Sequence, residues 1–229
     1  MLPLFILLKT GQYDIEITHN PVKVDVLDSA VSISSCVDHD LTPKLQNRAP
    51  VVGLDFHSGK NGRFGRSTNS LLVLCIDDHC LVVQLKYVDK IPEHLKRFLG
   101  DEKICFVGVD VDWKLSRRIP SSPDRLVCKT AVELSHLAAR MRQNPGLLNS
   151  DLEAVAKEFG VPCELPTSGG CCAPAINYEA RVFSDEEVKA LVHDAYVCCK
   201  IGKSLVVEET PRDSALRRDE ALPHDETNN

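Results

Sequence analysis

Residues 51–57 have the sequence VVGLDFH, which is apolar apart from Asp55 and His57. A run of this kind predicts a strand at the centre of a sheet, buried on both faces. Because side chains alternate along a strand, Asp55 and His57 are expected on the same face. Two more apolar runs, 71–76 and 81–85, flank the short turn 77–79 and predict two further strands.

The segments on either side of this centre complete an α/β pattern. Upstream, the alternating segments 13–17 and 22–26 around the turn 19–21 predict a β-hairpin. Downstream, the pattern predicts a strand over 104–111 and helices over 92–99, 132–141, 150–159 and 188–205. We therefore predict an α/β fold, in which an N-terminal β-hairpin precedes a mixed sheet flanked by helices.

Length and composition fit one globular domain with extra segments. The chain has 229 residues, of which 43% are hydrophobic. We predict an unstructured start over 1–11, a domain over 12–207 and a disordered acidic tail over 208–229. The tail carries −4 of the formal net charge of −6, so the acidic balance does not exclude a nucleic-acid partner.

Cysteine usage and the first residues bear on the location of the protein. Ten cysteines without a CxxC pair favour reduced core thiols in an intracellular protein of the nucleus or cytoplasm. A weaker hypothesis is a zinc site formed by Cys163, Cys171, Cys172, His193, Cys198 and Cys199. The eight mostly apolar residues before Lys9 are too few to cross about 30 Å of hydrocarbon, so no membrane association is predicted.

Carboxylates mark three of the predicted core elements. Asp55 lies in the first buried strand, Asp110 and Asp112 end a later strand, and Asp194 lies in the C-terminal helix. An acid among apolar residues is costly to bury unless it is paired or binds a cation. Acids that converge from a strand and a helix are what a two-metal phosphoryl-transfer site requires, although solvated carboxylates are the alternative explanation.

A series of segments carries more information than any single motif. Besides the hairpin, they are VVGLD at 51–55, LLVLC at 71–75, CLVVQL at 80–85, IPEHL at 91–95, FVGVD at 106–110, LEAVA at 152–156, YEARVFS at 178–184 and DAY at 194–196. In this order they resemble the plant branch of the Werner-syndrome-type 3′–5′ exonucleases, a DEDD family with a ribonuclease H-like fold. The resemblance covers roughly residues 12–207.

The resemblance implies a mechanism in which two divalent metals activate a water that attacks the terminal phosphodiester. Mg²⁺ or Mn²⁺ is the implied cofactor of an active enzyme. Asp55 matches the first acid of the family's Asp-x-Glu motif, and Asp194 matches the final acid of Tyr-x-x-x-Asp. The second motif falls at 110–115, where Asp112 is the preferred ligand and Asp110 the alternative.

The chain departs from this pattern in every motif. His57 replaces the glutamate of the first motif, and imidazole suits Zn, Mn or Co better than Mg. The second motif is shorter than usual, and Ala190 replaces the tyrosine of the third, for which His193 is a partial substitute. The predicted catalytic residues are Asp55, His57, Asp112, Asp194 and His193, and the first four are also the predicted metal ligands.

Cationic residues beside the motifs predict a nucleic-acid partner, DNA or RNA with a 3′ end. The predicted contacts are Lys60, Arg63, Phe64 and Arg66 after the first motif, and Lys114 and Arg117 at the second. Solvated loop and helix surfaces are the alternative reading of these residues. Trp113, the only tryptophan, is expected in the core.

The predicted function is nucleic-acid binding by a Werner-like 3′–5′ exonuclease domain whose metal-dependent hydrolysis is weak or lost. Two alternatives stay open at this point. One is an active exonuclease with an altered metal preference through His57. The other is a module on the same scaffold that binds a protein partner.

Overall fold

The computed structural model of the chain describes residues 11–46, 50–59, 68–116, 126–163 and 176–208. Its centre is a seven-stranded mixed sheet. The strands are β1 (Gln12–Ile17), β2 (Asn20–Leu27), β3 (Val51–Gly59), β4 (Thr68–Ile76), β5 (His79–Gln84), β6 (Cys105–Gly108) and β7 (Ala131–Glu133).

The strands lie in the order β1-β2-β5-β4-β3-β6-β7, with residues 51–57 in an inner strand as predicted. β3 pairs antiparallel with β4 and parallel with β6, and β4 pairs antiparallel with β5. The predicted hairpin forms from β1 and β2, and β2 also pairs in parallel with β5. The hairpin is therefore one edge of the main sheet rather than a separate unit in front of it.

Helices flank this sheet. Those in the described residues are α1 (Ala30–Cys36), α2 (Glu93–Leu99), α3 (Val111–Ser116), α4 (Leu134–Arg142), α5 (Leu152–Glu158) and α6 (Asp185–Glu208). α6 begins with a capping box, in which the Glu187 carboxylate accepts the Ser184 N–H at 2.8 Å and Ser184 Oγ accepts the Glu187 N–H at 3.3 Å. Within the described ranges, no helix combines the length and apolar character needed to cross a membrane.

Three elements differ from the sequence predictions. The pattern does not predict α1 or the turns after it over residues 30–46, because Ser, Asp and Thr there favour non-helical backbone. The strand predicted over 104–111 ends at Gly108, since Asp110 has a φ of +55° and the chain turns into α3. The helix predicted from residue 132 begins at Leu134, because residues 131–133 pair with β6.

The two faces of the sheet are covered by different helices. α6 packs on one face with Val51, whereas α1 and α2 pack on the other with Leu54. α6 approaches β3 closely, because a Cβ added at Gly53 would lie 1.8 Å from the carbonyl oxygen of Ala195. Only glycine allows this approach, which brings the middle of α6 next to β3 two residues before Asp55.

Candidate functional site

The predicted first and third motifs meet where α6 crosses β3. Asp55 is buried two residues beyond Gly53, and Asp194 directly precedes Ala195, the residue that contacts Gly53. Lys114 and His57 both contact Asp55, and their charges also act on Asp194. The fold therefore places these four side chains in one electrostatic neighbourhood.

Lys114 holds the carboxylate of Asp55. Its Nζ donates to Asp55 Oδ1 at 2.6 Å, and the two side chains are 15% and 4% exposed. The same oxygen accepts the backbone N–H of Phe56 at 2.7 Å. α3, which lies beside β3, supplies the lysine. Lys114, predicted to contact nucleic acid, is thus a partner of the first acid in this structure.

The ring of His57 is held by two other groups. Its Nε2 lies 2.8 Å from the carbonyl oxygen of Leu191 in α6, and because a carbonyl only accepts, Nε2 carries the proton and donates. The ring also stacks on Tyr178, with centroids 5.1 Å apart. Asp55 Oδ2 lies 3.5 Å from the same Nε2. His57 therefore joins β3 to α6 through its Nε2 proton.

Asp194 is paired with its neighbour in α6. His193 Nδ1 lies 2.9 Å from Asp194 Oδ1, and His193 Nε2 is buried without a hydrogen-bond partner in the described part of the chain. Burial by itself would raise the pKa of Asp194. The hydrogen bond from His193 and the charges of His193, Lys114 and His57 outweigh it, so the pKa lies below its ordinary value. Asp194 is therefore ionised at neutral pH.

The two acids of the second motif lie at the start of α3, and only Asp112 is turned away from Lys114. Asp112 is exposed, and helical periodicity places it about 200° around α3 from Lys114. Asp110, four residues before Lys114, lies at the start of α3 beside Glu133, which accepts the Val111 N–H at 3.2 Å. Burial raises the pKa of Glu133, and the negative charge of Asp110 adds to this. Sequence reasoning did not single out Glu133, although an acid between a strand and a helix start is a recognisable signal.

These positions do not form a ready two-metal site. Asp55, His57, Asp112 and Asp194 do not bring three potential ligand atoms within 4.8 Å of one another, a condition that only Asp25, Cys36 and His79 meet among the described residues. The first acid is also neutralised by an ammonium. The arrangement thus does not fit two divalent cations, and the ligand set given by the sequence stays a prediction.

The predicted nucleic-acid contacts are largely outside the described residues. Lys60, Arg63, Phe64, Arg66 and Arg117 lie there, as do Cys171 and Cys172 of the zinc hypothesis. The expectation for Trp113 is wrong, because this side chain is 57% exposed on α3. A six-residue helix with one buried position leaves most of its surface to solvent.

A mixed seven-stranded sheet, crossed at β3 by a long helix that carries an acid, defines the fold of the protein. It is a ribonuclease H-like α/β fold, which the chain shares with a solved exoribonuclease structure. Escherichia coli RNase D, an exoribonuclease involved in structured RNA processing, is similar to this chain with a TM-score of 0.60 and 14% identity. The match covers 87% of this chain and 51% of RNase D, so the chain spans about half of that protein.

Solved structures of the EXD2 exonuclease domain also match the chain. The EXD2 exonuclease domain soaked in Mn gives a TM-score of 0.46 and 20% identity, covering 90% of this chain and 100% of that one. The same domain soaked in Mg and dGMP gives 0.46 and 22%, covering 86% and 95%. No family model and no curated protein sequence matches the chain.

Proposed function

We propose that the protein binds nucleic acid with a free 3′ end through a Werner-like 3′–5′ exonuclease domain whose metal-dependent hydrolysis is weak or lost. The fold supports the exonuclease scaffold. The observation that carries the proposed loss of hydrolysis is the ion pair between Asp55 and Lys114 at 2.6 Å.

The ion pair opposes metal binding at the first acid. In a two-metal mechanism this carboxylate offers its oxygens to divalent cations. Here Asp55 Oδ1 already accepts from both Lys114 and the Phe56 N–H. A cation at Oδ1 would have to displace a largely buried ammonium or sit against its positive charge, and both are unfavourable in a poorly solvated site.

The contacts of His57 weigh against the alternative of an active enzyme with another metal preference. An imidazole ligates a metal through an unprotonated nitrogen. Ligation through His57 Nε2, the nitrogen near Asp55, would move its proton to Nδ1 and remove the hydrogen bond to the Leu191 carbonyl, and stacking on Tyr178 holds the ring in the orientation of that bond. Ala190 supplies no hydroxyl to position a water.

The surface of α3 supports nucleic-acid binding. Trp113 is 57% exposed and directly precedes Lys114 on α3, the helix whose lysine contacts Asp55. Stacking of a base on an exposed aromatic side chain contributes about 1–3 kcal/mol and tolerates any sequence. We assign Trp113 as a stacking residue for a single-stranded 3′ end.

The test combines a degradation assay with a binding assay on the full chain. Labelled single-stranded DNA and RNA and a 3′-recessed duplex are incubated in Mg²⁺ and then in Mn²⁺. The wild type is compared with Asp194→Ala and with a triple variant, His57→Glu/Lys114→Met/Ala190→Tyr. We expect the wild type to degrade no faster than Asp194→Ala, and the triple variant to gain activity. Wild-type degradation that disappears in Asp194→Ala would overturn the proposed loss of hydrolysis.

Binding is measured by fluorescence anisotropy of the labelled strands at low salt. We expect Trp113→Ala to weaken binding by roughly tenfold to a hundredfold, as loss of one stacked base implies. Val127→Ala is the matched control, because Val127 is a similarly exposed apolar residue, at 61%. Absence of binding by the wild type would refute the nucleic-acid proposal, and equal losses in the two variants would refute the role of Trp113.

A further inference from the structure

Three potential metal ligands converge on the other side of the sheet, away from the Asp55 site. They are Asp25 in β2, Cys36 at the end of α1 and His79 at the start of β5, and all three are buried. His79 Nε2 lies 2.6 Å from Asp25 Oδ2, and Cys36 Sγ lies 4.0 Å from the same oxygen. Among the residues that the structure describes, this is the one group with three ligand atoms mutually within 4.8 Å.

Strand pairing and helix packing bring the three side chains together. β2 and β5 are parallel, with Lys23 opposite His79 and Asp25 opposite Leu81, so Asp25 and His79 point to one face. α1 packs on that face and ends at Cys36, where the helix widens into a π-helical turn over Val37–Leu41. Such turns are rare in proteins and occur frequently at functional sites.

The donor set has the chemistry of a zinc site. A carboxylate oxygen, an imidazole nitrogen and a thiolate are the groups that bind Zn²⁺, at about 2.0–2.3 Å. Tetrahedral geometry then places the ligand atoms about 3.3–3.8 Å from one another. The Cys36–Asp25 separation of 4.0 Å is close to this, and the His79–Asp25 separation of 2.6 Å has to open by roughly 1 Å.

One of the three ligands, His79, borders a surface hollow, and the lysine that competes with a cation for Asp25 is partly exposed. A surface hollow of about 230 Å³ is bordered by Lys23, Lys44, Asp78 and His79. Lys23 Nζ lies 3.4 Å from Asp25 Oδ2, but its side chain is 43% exposed. The ammonium can therefore move into water when a cation approaches, which the enclosed Lys114 cannot do as easily.

We propose that Asp25, Cys36 and His79 form a mononuclear Zn²⁺ site with a fourth, solvent-side position. On binding, Cys36 loses its thiol proton to solvent, and the proton of His79 Nε2 moves to Nδ1 so that Nε2 ligates the metal. The ion and the two anionic ligands then sum to zero charge, which suits a buried position. The proposal is independent of nucleic-acid binding and of hydrolysis at Asp55.

The test uses the full chain, stripped with a chelator and then loaded with Zn²⁺ or Co²⁺ alone. We expect one zinc per chain after gel filtration, and with cobalt a thiolate-to-metal charge-transfer band in the near ultraviolet. Cys36→Ser and His79→Gln are expected to lower the zinc affinity by more than about a hundredfold, since loss of an outer partner alone costs about 10–100-fold. Cys105→Ser is the control for the other thiols and keeps both signals.

A second variant keeps the proposal falsifiable if Cys36→Ser does not fold. Lys23→Met removes the competing ammonium and leaves all three ligands, so zinc affinity should rise on the order of tenfold. Substoichiometric zinc in the wild type, a cobalt spectrum without the thiolate band, or unchanged affinity in Lys23→Met would each overturn the site. Circular dichroism confirms the fold of each variant before metal is added.

Discussion

The sheet carries two centres in which an aspartate meets a lysine, one on each face. At Asp55, the ammonium of Lys114 lies 2.6 Å away and the lysine side chain is 15% exposed. At Asp25, the ammonium of Lys23 lies 3.4 Å away and its side chain is 43% exposed. The first lysine is a fixed part of the structure, whereas the second reaches the acid from solvent.

The histidines of the two centres also differ in the groups that their Nε2 atoms contact. His57 directs its Nε2 proton to a backbone carbonyl and stacks on an aromatic ring, so its contacts are structural. His79 directs Nε2 at the carboxylate itself, beside a buried thiol. Motif position therefore does not decide which acid can receive a cation. The partners that the acid already has decide it, and at Asp25 the competing lysine is the more exposed of the two lysines.

The largest difference between the centres should appear in stability. Asp55→Asn removes the carboxylate that contacts the enclosed Lys114 ammonium, and removal of one partner of a buried pair typically costs about 3–5 kcal/mol. Asp25→Asn in metal-free protein should cost less, about 1–3 kcal/mol, because Lys23 can turn into water. Urea denaturation measures both, and equal losses would contradict the distinction between the two lysines.

Acid titration tests whether the ionised form of Asp25 stabilises the folded protein. Burial would raise the pKa of Asp25, but the hydrogen bond from His79 and the charge of Lys23 outweigh it and lower the pKa. The unfolded chain therefore binds the proton first as pH falls, and folding stability from this group, complete above about pH 4, is lost below it. The slope from one group is at most about 1.4 kcal/mol per pH unit.

The free energy of unfolding of the metal-free protein is measured between about pH 5 and about pH 2. This range includes the ordinary pKa of aspartate, about 3.9. In Asp25→Asn, the free energy of unfolding should fall less steeply as pH decreases. The remaining slope is due to other acids, Asp194 among them. The same pH dependence of the free energy of unfolding in the wild type and in Asp25→Asn would show that Asp25 is not stabilised as an ion.

The smallest loss of folding stability is expected on substitution of Lys23, the more exposed of the two lysines. Lys23→Met removes a partly solvated ion pair, so stability should change by less than about 1 kcal/mol. Lys114→Met, the matched substitution in the other centre, leaves the buried Asp55 carboxylate without its cation and should cost several times more. Thermal or urea unfolding of the two variants at pH 7 gives the comparison directly.

Sequence reasoning reaches the parts of this structure that depend on local pattern. The inner strand at 51–57 and the placement of Asp55 and His57 on one face follow from the periodicity of the sequence. Strand β7 was missed because three residues give too short a pattern to separate from the helix that follows.

The chemistry of the two centres could not be predicted in this way. Lys114 and Asp55 are 59 positions apart, and their contact depends on where the strand before α3 ends. Asp25 and His79 are 54 positions apart, and they meet only because β2 pairs in parallel with β5. Neither pair leaves a spacing signature along the chain, so only the sheet order reveals them.

The covering of one sheet face by α6 has a consequence for synthesis on the ribosome. His57 and the α6 residue that it contacts, Leu191, are separated by 134 residues. At about 5–20 residues per second, the nascent chain spends roughly 7–27 s with β3 made and its covering helix still untranslated. During this interval the apolar side chains that later meet α6 are open to other nascent chains and to chaperones. Slower translation of the last helix should therefore lower the yield of native protein more than an equal delay before β3.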